Sequence, residues 1–435
     1  MLIHRCSIIG VLDNGCDGLT PQTLKVLSQA DVVIGGTRTL TLFANAFKKD
    51  CVAHDLTGAL SKVPEWIRNA QNDGLRCAVL ATGDPLCHGI AAYLLSRLCV
   101  ESFDILPNVS TLQLACARLS LPWQEIKICS VHTKDAGEWL EGAGAEHGLY
   151  ALRRAVTQHD RLAILTSPDN TPDRIARLLI AANLHEQFQM AVAANLETGD
   201  EEITRDIAIT DMATRKFSDP NVVLLWRVTP IVKPVLFGLA DDSFQQRYPE
   251  KGLITKREVR AVSLARMQLR SDSIVWDIGA GSGSVGVEAA QLCPQGYVYA
   301  IEKNAGDCEN ALANRNTFGL HNYSLLNAKA PEGLENWPDP DAVFIGGSGG
   351  ELTALITLIL QRLKLGGWLV MNFVTFENIS AAIETLKLSD AEWDVTQMQC
   401  SRSKPILDMQ RLAAENPVWI VSAQKVGSAQ KKVAV

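Results

Sequence analysis

Short apolar runs alternate with segments of helical period along nearly the whole chain. Through the first half the runs read as strands at 6–11, 32–35, 77–81, 103–106, 126–130, 162–165, 190–194 and 222–227. Helices are expected between them, among them 21–29, 89–98, 111–118 and 171–182. Thr20-Pro21 and Thr171-Pro172 each offer an N-cap followed by a proline in the first turn. Such alternation predicts an α/β fold with largely parallel sheets. The rhythm breaks from Val228 to Tyr248, where two prolines fall in a stretch without a clean period. It resumes with a helix near Lys256 and strands at 274–277, 297–302, 323–327, 342–345, 368–373, 393–398 and 418–423, with Gly366-Gly367 as a helix-to-strand turn. The expected organisation is a domain over 1–230, a linker over 231–248, a second domain over 249–426 and a fraying tail over 427–435.

The most telling stretch is V-W-D-I-G-A-G-S-G-S-V-G-V-E-A-A, from Val275 to Ala290. A strand ends at Asp277, a turn runs through Gly279, Ala280, Gly281, Ser282 and Gly283, and a helix begins at Val285. Glycines there let a ligand approach the backbone, and the helix start presents free N–H groups. Gly281, Gly283 and Gly286 also satisfy the dinucleotide pattern G-x-G-x-x-G, so a nicotinamide cofactor is the competing reading. The acid-I-G-x-G-x-G form resembles the first motif of S-adenosylmethionine (SAM) methyltransferases, which implies that Asp277 sits near the cationic end of the cofactor. The next strand ends at Glu302, placed to accept hydrogen bonds from ribose hydroxyls.

Composition narrows the class. The chain has 435 residues, enough for two or three domains, and 47% hydrophobic with 20% charged residues is the balance of a soluble globular protein. A formal net charge of -7 argues against a nucleic-acid partner but leaves room for a local basic pocket. The 11 cysteines are scattered without a C-x-x-C pair, which points to reduced thiols and to no metal site; Cys308 and Cys400 read as packed thiols. No apolar run approaches the ~20 residues of a membrane span, and the N-terminus lacks a secretory pattern, so the expected location is cytoplasmic, with no membrane partner.

In the first half two loops follow strands, Gly10 to Thr20 and A-T-G-D-P-L-C-H-G from Ala81. Gly83 permits close approach, Asp84 accepts hydrogen bonds and Pro85 stiffens the loop, at the strand end where open sheets bind ligands. Together with P-N-V-S-T-L-Q-L-A-C-A-R-L-S-L-P-W from Pro107, S-V-H from Ser130, L-T-S-P-D-N-T-P from Leu165 and A-N-L-E-T-G-D-E-E-I from Ala194, they resemble the tetrapyrrole methylase family. The resemblance implies a two-lobed (class III) methyltransferase fold with SAM against Gly10, Gly83, Asp84 and Pro85, and Ser110 and Thr111 nearby. The family's usual first loop is G-x-G-P-G. Here Gly10-Val11-Leu12-Asp13-Asn14-Gly15 departs from it, with Asp13 as an acidic variant. His88 and His132 are candidates for substrate contact.

In the second half L-I-T-K-R-E-V-R-A, from Leu253, resembles the opening of the decarboxylating corrin methyltransferases, which implies that Thr255 touches the cofactor. By the same resemblance this is a Rossmann-like class I SAM methyltransferase domain. Adenine is expected at backbone groups around Ala330, since Lys329 stands where relatives often have aspartate. Gly346, Gly347 and Ser348 would line the place where methyl donor and acceptor meet, without the N-P-P-Y motif of enzymes acting on nucleic-acid amines. Asn372, Ser348, Arg260, Lys329, Arg402 and His132 are candidates for positioning the substrate, the basic residues by charge-assisted bonds to carboxylates.

The pairing of two unrelated SAM folds resembles the fused, decarboxylating corrin-precursor methyltransferases of the cobalamin pathway. That implies methylation of a precorrin at C5 by the first domain and at C15 by the second, with loss of the ring C (C12) acetate carboxyl as CO2. It also implies SAM as the cofactor, a tetrapyrrole substrate and a homo-oligomer. A cobalt-bearing precorrin, another small molecule or RNA as substrate, and a non-catalytic SAM or tetrapyrrole carrier, are the alternatives left by the sequence.

Overall fold

The computed structural model describes residues 4–140, 142–229, 235–247 and 254–427. The chain divides into two compact units, Met1–Ile231 and Val232–Val435.

The first unit holds two five-stranded sheets. In one, Val52–Asp55, Val32–Gly35, Cys77–Thr82, Cys6–Val11 and Phe103–Leu106 lie side by side in that order, all parallel. Its central strands are apolar on both faces, and separate clusters pack on each side, one around Ile8, Ile34 and Ile67 and one around Ile9, Val33 and Phe43. The other sheet runs Lys127–Ser130, Arg161–Leu165, Asn221–Arg227, Phe188–Ala194 and Glu202–Thr204. Here the expectation of parallel strands fails: only the first pair is parallel and the other three pairings are antiparallel. The connections after Phe188–Ala194 hold only a short strand and the helix Ile209–Met212, too little for a helical crossover between parallel neighbours.

Thr20 caps the helix Pro21–Ser28 by accepting from the Thr23 N–H at 3.1 Å. Thr171 makes no such side-chain cap for Pro172–Ala181, in contrast to the expectation.

The second unit is one seven-stranded sheet in the order Tyr323–Asn327, Tyr297–Glu302, Ile274–Ile278, Ala342–Ile345, Trp368–Phe373, Val418–Gln424 and Glu392–Met398. The first five are parallel, and Val418–Gln424 runs antiparallel to both of its neighbours, so that Glu392–Met398 at the edge has the direction of the first five. The chain builds outward from Ile274–Ile278 in one direction, then returns to place Ala342–Ile345 on its other side. That reversal opens a crevice at the carboxyl ends of these two strands, where open α/β sheets bind ligands.

Segment 235–247, expected as part of a linker, packs on the second unit. The Gly238 and Leu239 N–H groups donate to Glu288 at 2.7 and 2.9 Å, and Phe244 is buried with Ile254 and Val287. Positions 231–234 and 248 of the expected linker, and 428–435 of the expected tail, lie outside the described residues. A two-stranded hairpin, Ser401–Ile406 with Met409–Ala414, is an element the sequence pattern did not mark. No helix among the described residues is long and apolar enough to cross a membrane.

Candidate functional site

The strand Ile274–Ile278 ends in a turn that only glycine accommodates cheaply. Gly279, Gly281 and Gly283 have φ of 70°, 55° and 74°. The turn is tied to the neighbouring strand by the Gly279 and Ala280 N–H groups, both donating to the Ile301 carbonyl. It is also tied to Glu302, whose Oε2 accepts from the Gly281 N–H at 3.0 Å while Oε1 accepts from the Asn304 N–H at 2.9 Å. Across the crevice, the Gly346 N–H donates to the Ile278 carbonyl at 2.9 Å. The loops touch so closely that a Cβ on Gly279 would lie 2.5 Å from the Gly347 carbonyl oxygen.

Between these loops is a cavity of about 400 Å³. Of the residues singled out from sequence, Gly279, Gly281, Glu302, Lys329, Ala330, Gly346, Gly347 and Ser348 line it. Thr255, Asp277, Ala280, Ser282 and Gly283 are not among its lining residues. Ser282 and Asp277 are turned into the protein, 4% and 1% exposed. Lys329 pairs with Glu351 at the rim, with both side chains about half exposed. Arg247 and Asp307, which sequence reasoning did not mark, also line the cavity and form a two-point ion pair.

Asp277 lies beneath the turn, against the helix Ser284–Leu292. Its Oδ2 accepts from the Gly286 N–H at 3.0 Å, and its Oδ1 has no partner. A Cβ on Gly286 would come within 2.6 Å of that carboxylate and 2.7 Å of the Tyr323 ring, so this glycine is required by packing. Burial pushes the Asp277 carboxyl up to about 7; the Gly286 hydrogen bond opposes the rise and the charge of Glu302 adds to it. An unfolded aspartate titrates near ~3.9. The folded protein therefore keeps a proton that the unfolded chain has lost between those values. The stability contributed by this group is full below the lower value, falls as pH rises through the folded pKa, and levels off above it. Asp277→Asn is expected to remove on the order of 2 kcal/mol of this decline between about pH 5 and pH 8. Denaturant unfolding of both proteins at the two pH values measures it, and equal slopes would remove Asp277 as the source.

Three positioning candidates turn out to be committed within the protein. Arg260 is fully buried. Its Nε donates to Glu288 at 2.8 Å and one terminal nitrogen to Asp241 at 3.2 Å and the Thr255 carbonyl at 2.6 Å; the other donates to the Leu239 carbonyl. A guanidinium so surrounded supports the fold and does not reach a substrate. Arg402, on the hairpin, is held by Asp241 at 2.7 Å and by both oxygens of Glu258, whose carboxyl is held below the ordinary range by the hydrogen bonds from Arg402 and then by its charge. Asn372 exchanges hydrogen bonds with the Ser263 hydroxyl at 2.9 and 3.1 Å.

The first unit gathers its candidates at the ends of two adjacent parallel strands. Gly10 is the last residue but one of the strand Cys6–Val11, and a Cβ there would lie 2.3 Å from the Gly83 carbonyl oxygen and 2.7 Å from the Asn108 nitrogen. Gly83, at φ 70°, donates its N–H to the Val11 carbonyl and sits against Ser110 and Thr111. Asp84 accepts from the Leu86 N–H at 2.8 Å, which folds the loop through Pro85. Ser110 and Gln113 form a reciprocal capping box on the helix Thr111–Arg118. Asn108, unmarked from sequence, donates to the carbonyls of Gly10 and Gly18 and so ties the first loop to this group. Asp13 pairs with Arg38 at 2.8 Å. His88 is exposed at φ 53°. His132 is exposed and bonded through Nδ1 to the Thr166 carbonyl at 2.8 Å; a carbonyl only accepts, so Nδ1 carries a hydrogen.

Comparisons with known proteins agree with this division. Residues 5–208 match the family model of the tetrapyrrole (corrin/porphyrin) methylases, and residues 246–425 match that of the precorrin methyltransferase domain. A precorrin-6Y C(5,15)-methyltransferase (decarboxylating) of Sinorhizobium sp is 30% identical over 369 residues, 85% of this chain and 84% of the relative. A cobalt-precorrin-6B C(15)-methyltransferase (decarboxylating) of Salmonella typhimurium is 38% identical over 173 residues, 40% of this chain and 89% of the relative. The crystal structure of a precorrin-6y C5,15-methyltransferase from Geobacter metallireducens GS-15 is 40% identical, with a TM-score of 0.42, covering 44% of this chain and 100% of that one.

Proposed function

The chain belongs to the family of decarboxylating precorrin-6Y C(5,15)-methyltransferases, and on that basis we propose that it methylates a precorrin at C5 and C15 and releases the C12 acetate carboxyl as CO2, giving precorrin-8. We assign C5 methylation to the first unit, and C15 methylation with decarboxylation to the second. The observation that carries the reading is the glycine-lined crevice at the strand reversal, with Glu302 at its edge. SAM fits the residues present. Bare backbone at Gly279, Gly281, Gly346 and Gly347 makes room for a long ligand, and Glu302 keeps acceptor capacity for ribose hydroxyls.

SAM supplies a methyl group already activated on a sulfonium. The electron-rich ring carbon is the nucleophile, so the protein needs no strong nucleophile of its own. Its part is alignment, which at the limit lowers a barrier by ~7–11 kcal/mol. Gly346, Gly347 and Ser348 offer a side-chain-poor edge against which a flat macrocycle can approach. Lys329 can exchange its exposed partner Glu351 for a peripheral carboxylate, because an ion pair so open to water holds only weakly. The conjugated ring serves as the electron sink for CO2 loss, and a site of fixed dipoles favours that charge spreading. We further infer a cytoplasmic homo-oligomer that binds neither nucleic acid nor membrane.

The test is turnover of metal-free precorrin substrate by the full chain with methyl-labelled SAM. A product with two labelled methyls and one CO2 fewer is expected. The Salmonella relative favours a second reading, in which the substrate carries cobalt. Turnover of the cobalt form alone would replace the first reading with the second, and no turnover of either would reject both.

A further inference from the structure

The geometry points to Arg247 as a cofactor-positioning residue of the second unit, covering the adenosine side of the cavity and held there by Asp307. The inference rests on reading that cavity as the cofactor site. Arg247 lies in segment 235–247, which is locked down at successive points. The Gly238 and Leu239 N–H groups bond Glu288. Further on, the Gln245 N–H and carbonyl both bond the fully buried Asn314 side chain, at 2.7 and 2.8 Å. The same Asn314 amide donates to the Ser282 carbonyl in the glycine turn at 2.8 Å. One side chain thus fixes the segment and the turn to each other, and two residues later Arg247 reaches the cavity wall.

There its Nε donates to Asp307 Oδ1 at 2.6 Å and its second terminal nitrogen to Asp307 Oδ2. Asp307 is 5% exposed, in the first turn of the helix Ala305–Thr317. A carboxylate that buried needs its counter-charge, so the pair holds the guanidinium in one plane. Glu302, Lys303 and Asn304 line the same wall, and on the cofactor reading Glu302 is the ribose acceptor. The adenine attached to that ribose therefore falls beside Arg247. A planar, weakly hydrated guanidinium suits the face of a heterocycle. Asp307 occupies one edge of it, which directs Nη1 toward ligand acceptors.

Hydrogen–deuterium exchange of the full chain, read peptide by peptide, tests this without relying on turnover. The readout is the SAM concentration that half-protects the peptide covering 279–304, with the peptide covering 83–111 as an internal control. Arg247→Ala is expected to raise the first value at least tenfold and leave the control unchanged, and Arg247→Lys should recover part of the loss. 5′-Methylthioadenosine, which lacks the amino-acid half of SAM, should lose affinity by the same factor. An unchanged half-point in Arg247→Ala would overturn the inference. So would a loss confined to SAM, which would place Arg247 at the amino-acid end. Faster exchange of 279–304 in the ligand-free variant would make Arg247 a structural support only. If the wild type shows no protection of 279–304, the cofactor reading itself fails, and that result is separate from the others.

Discussion

Replacing Gly279 with alanine is expected to remove SAM binding from the second unit while the first unit keeps its own. The residue sits at φ 70°, a conformation that side chains rarely adopt. The added Cβ would also meet the Gly347 carbonyl oxygen at 2.5 Å, its nitrogen at 2.8 Å and its Cα at 2.9 Å. Those atoms are backbone and cannot rotate aside, so the two loops that frame the cavity must part. The expected loss of affinity is at least ~100-fold, equivalent to about 2.7 kcal/mol. Calorimetric titration of the full chain should find two SAM molecules bound by the wild type and one by the variant. A variant that still binds two with wild-type affinity would show that the crevice is not the site.

Arg260→Ala should have the largest effect on stability. The substitution leaves Glu288, itself fully buried, without its cation, and frees the carbonyls of Thr255 and Leu239 and one oxygen of Asp241. Removing one partner of a buried pair costs about 3–5 kcal/mol, because the other charge stays behind without water. For a unit of this size that is a fall in melting temperature on the order of 10 °C. Because segment 235–247 hangs on this node, its exchange with solvent should rise together with the fall in stability. Arg260→Lys keeps a charge but loses the fork, so an intermediate loss is expected. Thermal unfolding followed by Trp fluorescence measures both. Wild-type stability in Arg260→Ala, with a change confined to substrate affinity, would restore Arg260 to the role its charge first suggested.

The two arginines show where sequence reading stops. Charge and position made Arg260 and Arg402 plausible carboxylate binders, but charge says nothing about whether the partner lies in the ligand or in the protein. One signal was available for Arg260. Glu288 is a lone acid in S-V-G-V-E-A-A-Q-L, a helix buried almost throughout, and a charge in such a setting requires a buried counter-charge. For Arg247 no comparable signal exists, because its partner Asp307 comes close only through the fold.

Gly279, Gly281, Glu302 and Gly346 were legible as positions lining one cavity, because a strand, a tight turn and a helix start are local, and local geometry dictates residue type. Asp277 was legible as a motif but not in its direction, which depends on how the following helix packs over it. The hairpin Ser401–Ile406 and Met409–Ala414 escaped notice since most of its residues are exposed on both faces. Hydrophobic periodicity reports burial on one side, and an element without a buried side leaves no such trace. The antiparallel pairings of the first unit's second sheet were hidden for a related reason, as strand direction is set by the connections and not by the strand's own pattern.

If each unit carries one methylation and CO2 loss belongs to the second, a chain disabled in the second unit alone separates the two reactions. The full-length Gly279→Ala chain, supplied with metal-free precorrin and methyl-labelled SAM, is expected to yield a product with a single added methyl and every carboxyl retained, read by its mass. A product that has gained both methyls, or lost CO2, would contradict that division.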